Sequence, residues 1–265
     1  MREVKKNKMY FDIQSLPEDF LYLFVGHWIG NAKLGHDRKN VGLLVKAFYE
    51  IFKNKKIKPA LILKCSVGAS SYASRDEILS RIQKIKKTIN SKNLPNIYIL
   101  EGEFTDIEMN ELYNHSKIKA MVMLTKGEGY CRPLLEFSLT NKPIIATDWS
   151  GHKDFLNPKF TSMITGELEN IHASATNDWL IKEAKWFKPN PEYVGHYLKD
   201  VFENYKDYKI KSKRQGYHSR KNFSWEKMKE LLGQVLEEII PEFPEKIVLT
   251  LPKLKLPILP KLKKI

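Results

Sequence analysis

The sequence predicts an α/β protein built on a doubly wound, mostly parallel sheet. Three observations carry that expectation. Short β-rich apolar runs recur at 20–26 (FLYLFVG), 60–65 (ALILKC), 97–102 (IYILEG), 120–125 (AMVMLT) and 143–147 (PIIAT). Segments with helical apolar spacing lie between them. The runs are apolar on both faces, as strands must be when intervening helices cover each side of a sheet.

Taken in order, the run at 20–26 opens the sheet, and 40–53 follows as a helix with Val41, Leu44, Val45, Phe48 and Ile51 on one face. The strand at 60–65 leads to a helix over 75–90, marked by Ile78, Ile82 and Ile85, and the strand at 97–102 to a helix over 106–115. After the strand at 120–125, Pro133 suits the first position of a helix, because its missing N–H is unpaired there in any case. Thr125 to Arg132 then form a strand-to-helix turn, with Glu136 in the first helical turn. Beyond Gly166 the pattern reads as helical. One candidate spans 191–206, and Ser224 can N-cap another whose apolar face holds Trp225, Met228, Leu232, Val235 and Ile239. From Pro241 the chain alternates apolar and basic residues, and prolines at 252, 257 and 260 restrict it to an extended or edge-strand form. This divides the chain into an N-terminal extension (1–19), one large domain (20–240) and a basic Pro/Leu/Lys tail (241–265).

With 265 residues, 42% of them hydrophobic, the chain can bury a sizeable core, which excludes a disordered class. No run of eighteen apolar residues occurs and MREVKKNKMYF is no secretory leader, so neither a transmembrane segment nor secretion is expected. Cys65 and Cys131 provide no disulfide framework and no metal-type cysteine pair. A cytoplasmic location fits. The net charge of +14 is concentrated at the termini: residues 246–265 carry six Lys and no acid, and Arg2, Lys5, Lys6 and Lys8 face only Glu3. A mildly basic body with basic ends points to solvation, and no nucleic-acid partner is expected.

Ligands of open parallel sheets bind beyond the carboxyl ends of the strands. After the first strand, GHWIGNAKLGHDRKN places Gly26 and His27 at the strand end and Arg38 and Lys39 at a helix start, a combination that can hold phosphate. A surface loop with a basic helix start would read the same way. After the fourth strand, TKGEGYCRPLLEF is more specific. Glu128 sits in the turn and Glu136 in the helix, and two carboxylates so placed suit sugar and ribose hydroxyls rather than phosphate.

GEGYCRPLLE, with seven residues between Glu128 and Glu136, resembles the E-x7-E signature of family 4 of the retaining glycosyltransferases (group 1). DRKNVGLLVKAF, ILEGEFTDIEMNELY and KPIIATDWSGHKDFL resemble the segments around it in that family's order, with a viral or phage-like flavour in LILK, FSWEKM and PKLKK. The resemblance covers residues 20–240. It implies a Rossmann-like donor-binding domain of the C-terminal GT-B type that binds a nucleotide-diphosphate sugar, and a cytoplasmic location, that of the host if the protein is viral. Glu136 would then bind ribose, Glu128 the transferred sugar, and Lys39 and Arg38 the diphosphate, with the amides of Gly129, Tyr130 and Cys131 close to the donor. Gly26, His27, Thr105 and His152 lie on the same side, as does Lys64, which can equally be a solvated strand end. The resemblance further implies retention, no cofactor, and catalysis without a metal, for which the sequence offers no D-x-D. It also implies an acceptor domain supplied by a partner chain or a missing N-terminal segment, the acceptor itself being unknown.

Two departures stand out. His27 occupies a position where the family often has Arg, and Cys131 one where it has Gly. They leave open a domain that keeps the fold and binds nucleotide sugar without transferring it; a lesser alternative, from a different class, is a single-stranded nucleic-acid binder using the basic ends with Trp and Tyr side chains as stacking platforms.

Overall fold

In a computed structural model, residues 12–30, 34–175 and 183–241 are described. The basic tail beyond Pro241 and the first eleven residues lie outside them. Chain packing divides the protein into two compact units after Ser224.

The first unit holds a six-stranded sheet made of β1 (Leu21–His27), β2 (Ala60–Ser66), β3 (Ile97–Leu100), β4 (Ile118–Met123), β5 (Ile144–Thr147) and β6 (Ser162–Ile164). Their order is β3-β2-β1-β4-β5-β6, and every neighbouring pair is parallel. Strand order reverses between β1 and β4, which opens a crevice beyond their carboxyl ends. The helices that connect the strands are α1 (Val41–Phe52), α2 (Tyr72–Lys87), α3 (Asp106–Asn114) and α4 (Arg132–Ser138). This is the Rossmann-like α/β fold that the alternating runs predict.

β1 is the centre of the core. Leu21, Tyr22, Leu23 and Phe24 are wholly buried, and the strand lies between β2 and β4 in the middle of the sheet. Tyr22 stacks edge-on against Phe48 of α1 and donates its hydroxyl to the Leu198 carbonyl at 2.6 Å. Leu198 belongs to α5 (Pro191–Glu203), which packs on α1 and is followed by α6 (Tyr205–Asn222). α6 approaches α4 closely: a Cβ on Gly216 would lie 2.1 Å from Asn141 Oδ1, and Ser138 and Ser219 hydroxyls meet at 2.7 Å.

The segment after Gly166 differs from the helical expectation. β7 (Gly166–Asn170) and β8 (Lys185–Pro189) form an antiparallel ribbon before α5 begins. GELEN has little apolar signal because β7 is largely exposed, and only Trp186, Phe187 and Pro189 of β8 point inward. The short β6 likewise went unrecognised. In the second unit, α7 (Trp225–Ile239) is amphipathic as expected, with Trp225, Met228, Leu232, Val235 and Ile239 exposed.

Removing the Tyr22 hydroxyl takes away the buried hydrogen bond that ties β1 to the Leu198 carbonyl of α5. Tyr22→Phe should therefore lower unfolding free energy by about 1–2 kcal/mol in a urea titration with an unchanged denaturant slope.

Candidate functional site

The loop between β1 and α1 is pinned from several sides. Trp28 N–H donates to the Ser66 carbonyl at 2.8 Å, and buried Arg81 of α2 donates to the carbonyls of Trp28 (2.6 Å) and Gly30 (2.9 Å). Buried Asp37 accepts from Val41 N–H at 2.6 Å, so its carboxylate takes the place of a helix cap while Asn40 turns through a left-handed conformation. Burial raises the Asp37 pKa, a cost partly offset by that hydrogen bond.

This loop brings Arg38 and Lys39 to Glu128. Arg38 Nη1 lies 2.9 Å and Lys39 Nζ 2.6 Å from Glu128 Oε1, which also accepts from Thr125 Oγ1 at 2.7 Å. Arg38 donates in addition to the Gly127 carbonyl at 2.5 Å. Burial pushes the Glu128 carboxyl up, but Lys39, Thr125 and Arg38 outweigh it and its pKa is lowered. Glu128 therefore stays ionised, and its folding contribution is lost only as pH falls through that depressed value. A Cβ at Gly26 would crowd the Phe24 ring at 3.2 Å and touch Lys39 Cε at 3.4 Å, so the Lys39 side chain runs close against the strand backbone here.

The turn after β4 is tied to the loop after β5. Glu128 N–H donates to Ser150 Oγ at 2.8 Å, and Gly151 N–H returns a bond to the Glu128 carbonyl at 3.1 Å. A Cβ on Gly151 would fall 1.8 Å from the Gly129 oxygen, so only glycine allows the two loops to touch. Asn40, Cys131 and Ser150, three non-glycine residues with positive φ, all sit at this crevice. Such backbone strain persists where the surroundings over-determine it, and it gathers at functional sites.

Beside the cluster a cavity of about 710 Å3 is lined by His27, Lys64, Phe104, Tyr113, Arg132 and Glu136, among others. Glu136 is held by Arg132 Nε at 2.9 Å and by the Tyr113 hydroxyl at 3.2 Å. His27 belongs to both regions: it lines the cavity, bonds Ser66 Oγ through Nδ1 at 2.8 Å, and has its pKa lowered by burial and by Lys39, Lys64 and Arg38. Lys64 gives its ammonium to the Gly102 carbonyl at 2.6 Å and lies over the Phe104 ring. Gly129 and Tyr130 are exposed in the turn.

Two predicted site residues are placed differently. Thr105 caps α3: its hydroxyl accepts from Glu108 N–H at 3.3 Å and donates to the Glu108 carboxylate at 2.9 Å. His152 is wholly buried and pairs Nε2 with the Thr147 carbonyl at 2.6 Å, so it braces the loop from beneath. Cys131 is also buried and N-caps α4 in a left-handed conformation, φ 67° and ψ 61°. The glycine expected at that position is a backbone requirement. Tyr113, Arg132, Ser150 and Gly151 were missing from the predicted set. Arg132 carried a signal in its four-residue spacing from Glu136, and Gly151 in the segment KPIIATDWSGHKDFL. Lys126 was also missed; it fixes the first loop by donating from Nζ to Gly35 and from its N–H to Arg38.

Among the described residues no helix is long and apolar enough to cross a membrane, and no three His, Cys, Asp or Glu side chains gather as for a metal ion. No protein-family model matches the chain, and no curated protein sequence matches it. Solved structures do. A sucrose-phosphate synthase from Thermosynechococcus elongatus aligns with TM-score 0.56 at 15% identity, over 83% of this chain and 45% of that one. The C-terminal domain of a group 1 family glycosyl transferase from Francisella tularensis aligns with TM-score 0.53 at 13% identity, over 79% and 88%. Anabaena Alr3699/HepE, in complex with UDP and glucose, aligns with TM-score 0.55 at 12% identity, over 83% and 48%. At these identities the likeness is one of fold, that of GT-B glycosyltransferase domains. The chain spans about half the length of the synthase and of the Anabaena protein.

The left-handed backbone at Cys131 separates two effects on stability. Cys131→Gly loses a buried thiol but relieves about 1 kcal/mol of backbone strain, whereas Cys131→Ala loses the thiol and keeps the strain. The Gly variant should thus be the more stable of the two in thermal melts. Burial pushes the thiol pKa up to about 11, so labelling should require unfolding and be indifferent to nucleotide.

Proposed function

We propose that this chain is the donor-binding domain of a retaining, metal-independent glycosyltransferase resembling family 4, acting with an acceptor domain supplied elsewhere. The observation that carries the proposal is the meeting of Arg38, Lys39 and Glu128 at the β1–β4 switch point, beside a cavity that contains Glu136. Two adjacent cations held by one carboxylate keep a net positive charge, which suits a diphosphate. The Glu136 carboxylate accepts hydroxyl hydrogen bonds and suits a ribose, and the cavity walls of Phe104, Met109 and Tyr113 suit a base. The Anabaena protein, a structural neighbour, was solved with UDP and glucose, which supports a UDP-sugar as the donor class to test first.

In this proposal the bond between the anomeric carbon and the diphosphate oxygen breaks while Lys39 and Arg38 stabilise the charge that develops on the leaving oxygen. Glu128 Oε1 is engaged by both cations, and Oε2 accepts from a hydroxyl of the transferred sugar. The exposed amides of Gly129 and Tyr130 face the donor. An acceptor hydroxyl then bonds to the anomeric carbon on the same face of the ring and passes its proton to the departing diphosphate oxygen. Fixed cations do the work of a metal, and no cofactor is required.

Glu136→Ala should weaken UDP binding about 10- to 100-fold by calorimetry, the loss of one or two hydrogen bonds to a charged group. Wild-type affinity should be the same with EDTA as with magnesium. Unchanged UDP affinity in the variant would remove Glu136 from the site, and a magnesium requirement would remove the metal-free mechanism.

A further inference from the structure

α6 carries a charge pattern that the donor site does not use. Lys206, Lys209, Lys213, Arg214, Arg220 and Lys221 are all exposed and, at 100° per residue, fall on one stripe roughly 140° wide. No acid lies within that stripe, since Asp207 sits on its flank. Among the described residues none of these six cations is within 4 Å of a carboxylate, whereas Lys199 of α5 and Lys227 of α7 both have one. Among the described residues, Arg220 alone of the six is tied down through hydrogen bonds, to the Leu139 carbonyl and Asn141. A helix face with six like charges is self-repelling and gains stability from an anionic partner.

Two further features identify the partner. Ile210 and Tyr217, seven residues apart in the same stripe, are 58% and 64% exposed between the cations. Below them an open pocket of about 530 Å3 has Phe160 and Tyr217 in its walls and Lys213, Arg214, His218 and Lys221 around it. An aliphatic and a tyrosine side chain flanked by long cationic ones suit the boundary between lipid headgroups and acyl chains, where lysine stems lie along apolar surface and their ammonium groups meet phosphate. A nucleic acid would use Tyr217 for stacking but offers nothing for Ile210.

We propose that this face of α6 binds the surface of an anionic phospholipid membrane, with a headgroup phosphate seated among Lys213, Arg214 and Lys221. The stripe lies on an exposed helix face that includes none of the donor-site residues, so the proposal is independent of the donor-site assignment.

The test is co-sedimentation of the full chain with vesicles of phosphatidylcholine alone, and with vesicles in which phosphatidylglycerol replaces a third of it. The protein should pellet only with the anionic vesicles, and rising salt should release most of it. Lys213→Glu/Arg214→Glu/Lys221→Glu should weaken partitioning at least about tenfold. Because all three positions are exposed, the thermal midpoint should hold. Tyr217→Ala should remove the portion of binding that survives at high salt. Inorganic phosphate at matched ionic strength should not displace the protein; if it does, the pocket is a site for free phosphate and the proposal fails. Equal binding of wild type and triple variant would place the attraction on other lysines and overturn it. So would a single-stranded oligonucleotide that binds this face in preference to the vesicles.

Discussion

Arg38 and Lys39 are neighbours in sequence and carry like charge, so they would normally turn apart into solvent. Glu128, from a turn ninety residues further on, holds both on a single carboxylate oxygen. The remainder of the crevice depends on that ion cluster. It joins the loop after β1 to the turn after β4 across the one gap in the sheet where strand order reverses, and so converts a topological crevice into a charged site. The arrangement is partly buried, which strengthens the attraction and makes the loss of any one partner expensive.

Much of the surrounding structure keeps this cluster in register. Asp37 and Arg81 hold the first loop from below, Lys126 fastens it to the second turn, and the reciprocal bonds between Glu128 and the Ser150–Gly151 segment bring in the third. Close approach requires unusual backbone, which is why Gly151 meets Gly129 directly and why Ser150 and Cys131 accept positive φ. His152 and Thr105 contribute from beneath and beside the site, one as a buried brace and the other as a helix cap.

The first five strands and α1 to α4 were legible because buried parallel strands and amphipathic helices leave apolar signals at characteristic spacings, which the three-residue β6 is too short to carry. The β7–β8 ribbon was not, since β7 is exposed and polar and leaves no apolar run to read. Glu128 and Glu136 could be singled out from their spacing, and Arg38 and Lys39 from their place at a helix start, but nothing local announces that these two cations share one carboxylate. Cys131 shows the same limit. Its departure from glycine was visible in the sequence, while the left-handed angle that makes the departure costly appears only once the turn is built. Thr105 and His152 show a related limit, since a polar side chain near a strand end serves a cap or a brace as readily as a ligand.

The most direct measurement is the calorimetric affinity of UDP compared with that of uridine, for wild type and for Lys39→Met. If the Arg38–Glu128–Lys39 cluster is a diphosphate clamp, UDP binds at least about 100-fold more tightly than uridine, and the substitution removes most of that difference while leaving uridine affinity in place. Equal affinities for UDP and uridine, or a Lys39→Met variant that keeps the full preference, would contradict it.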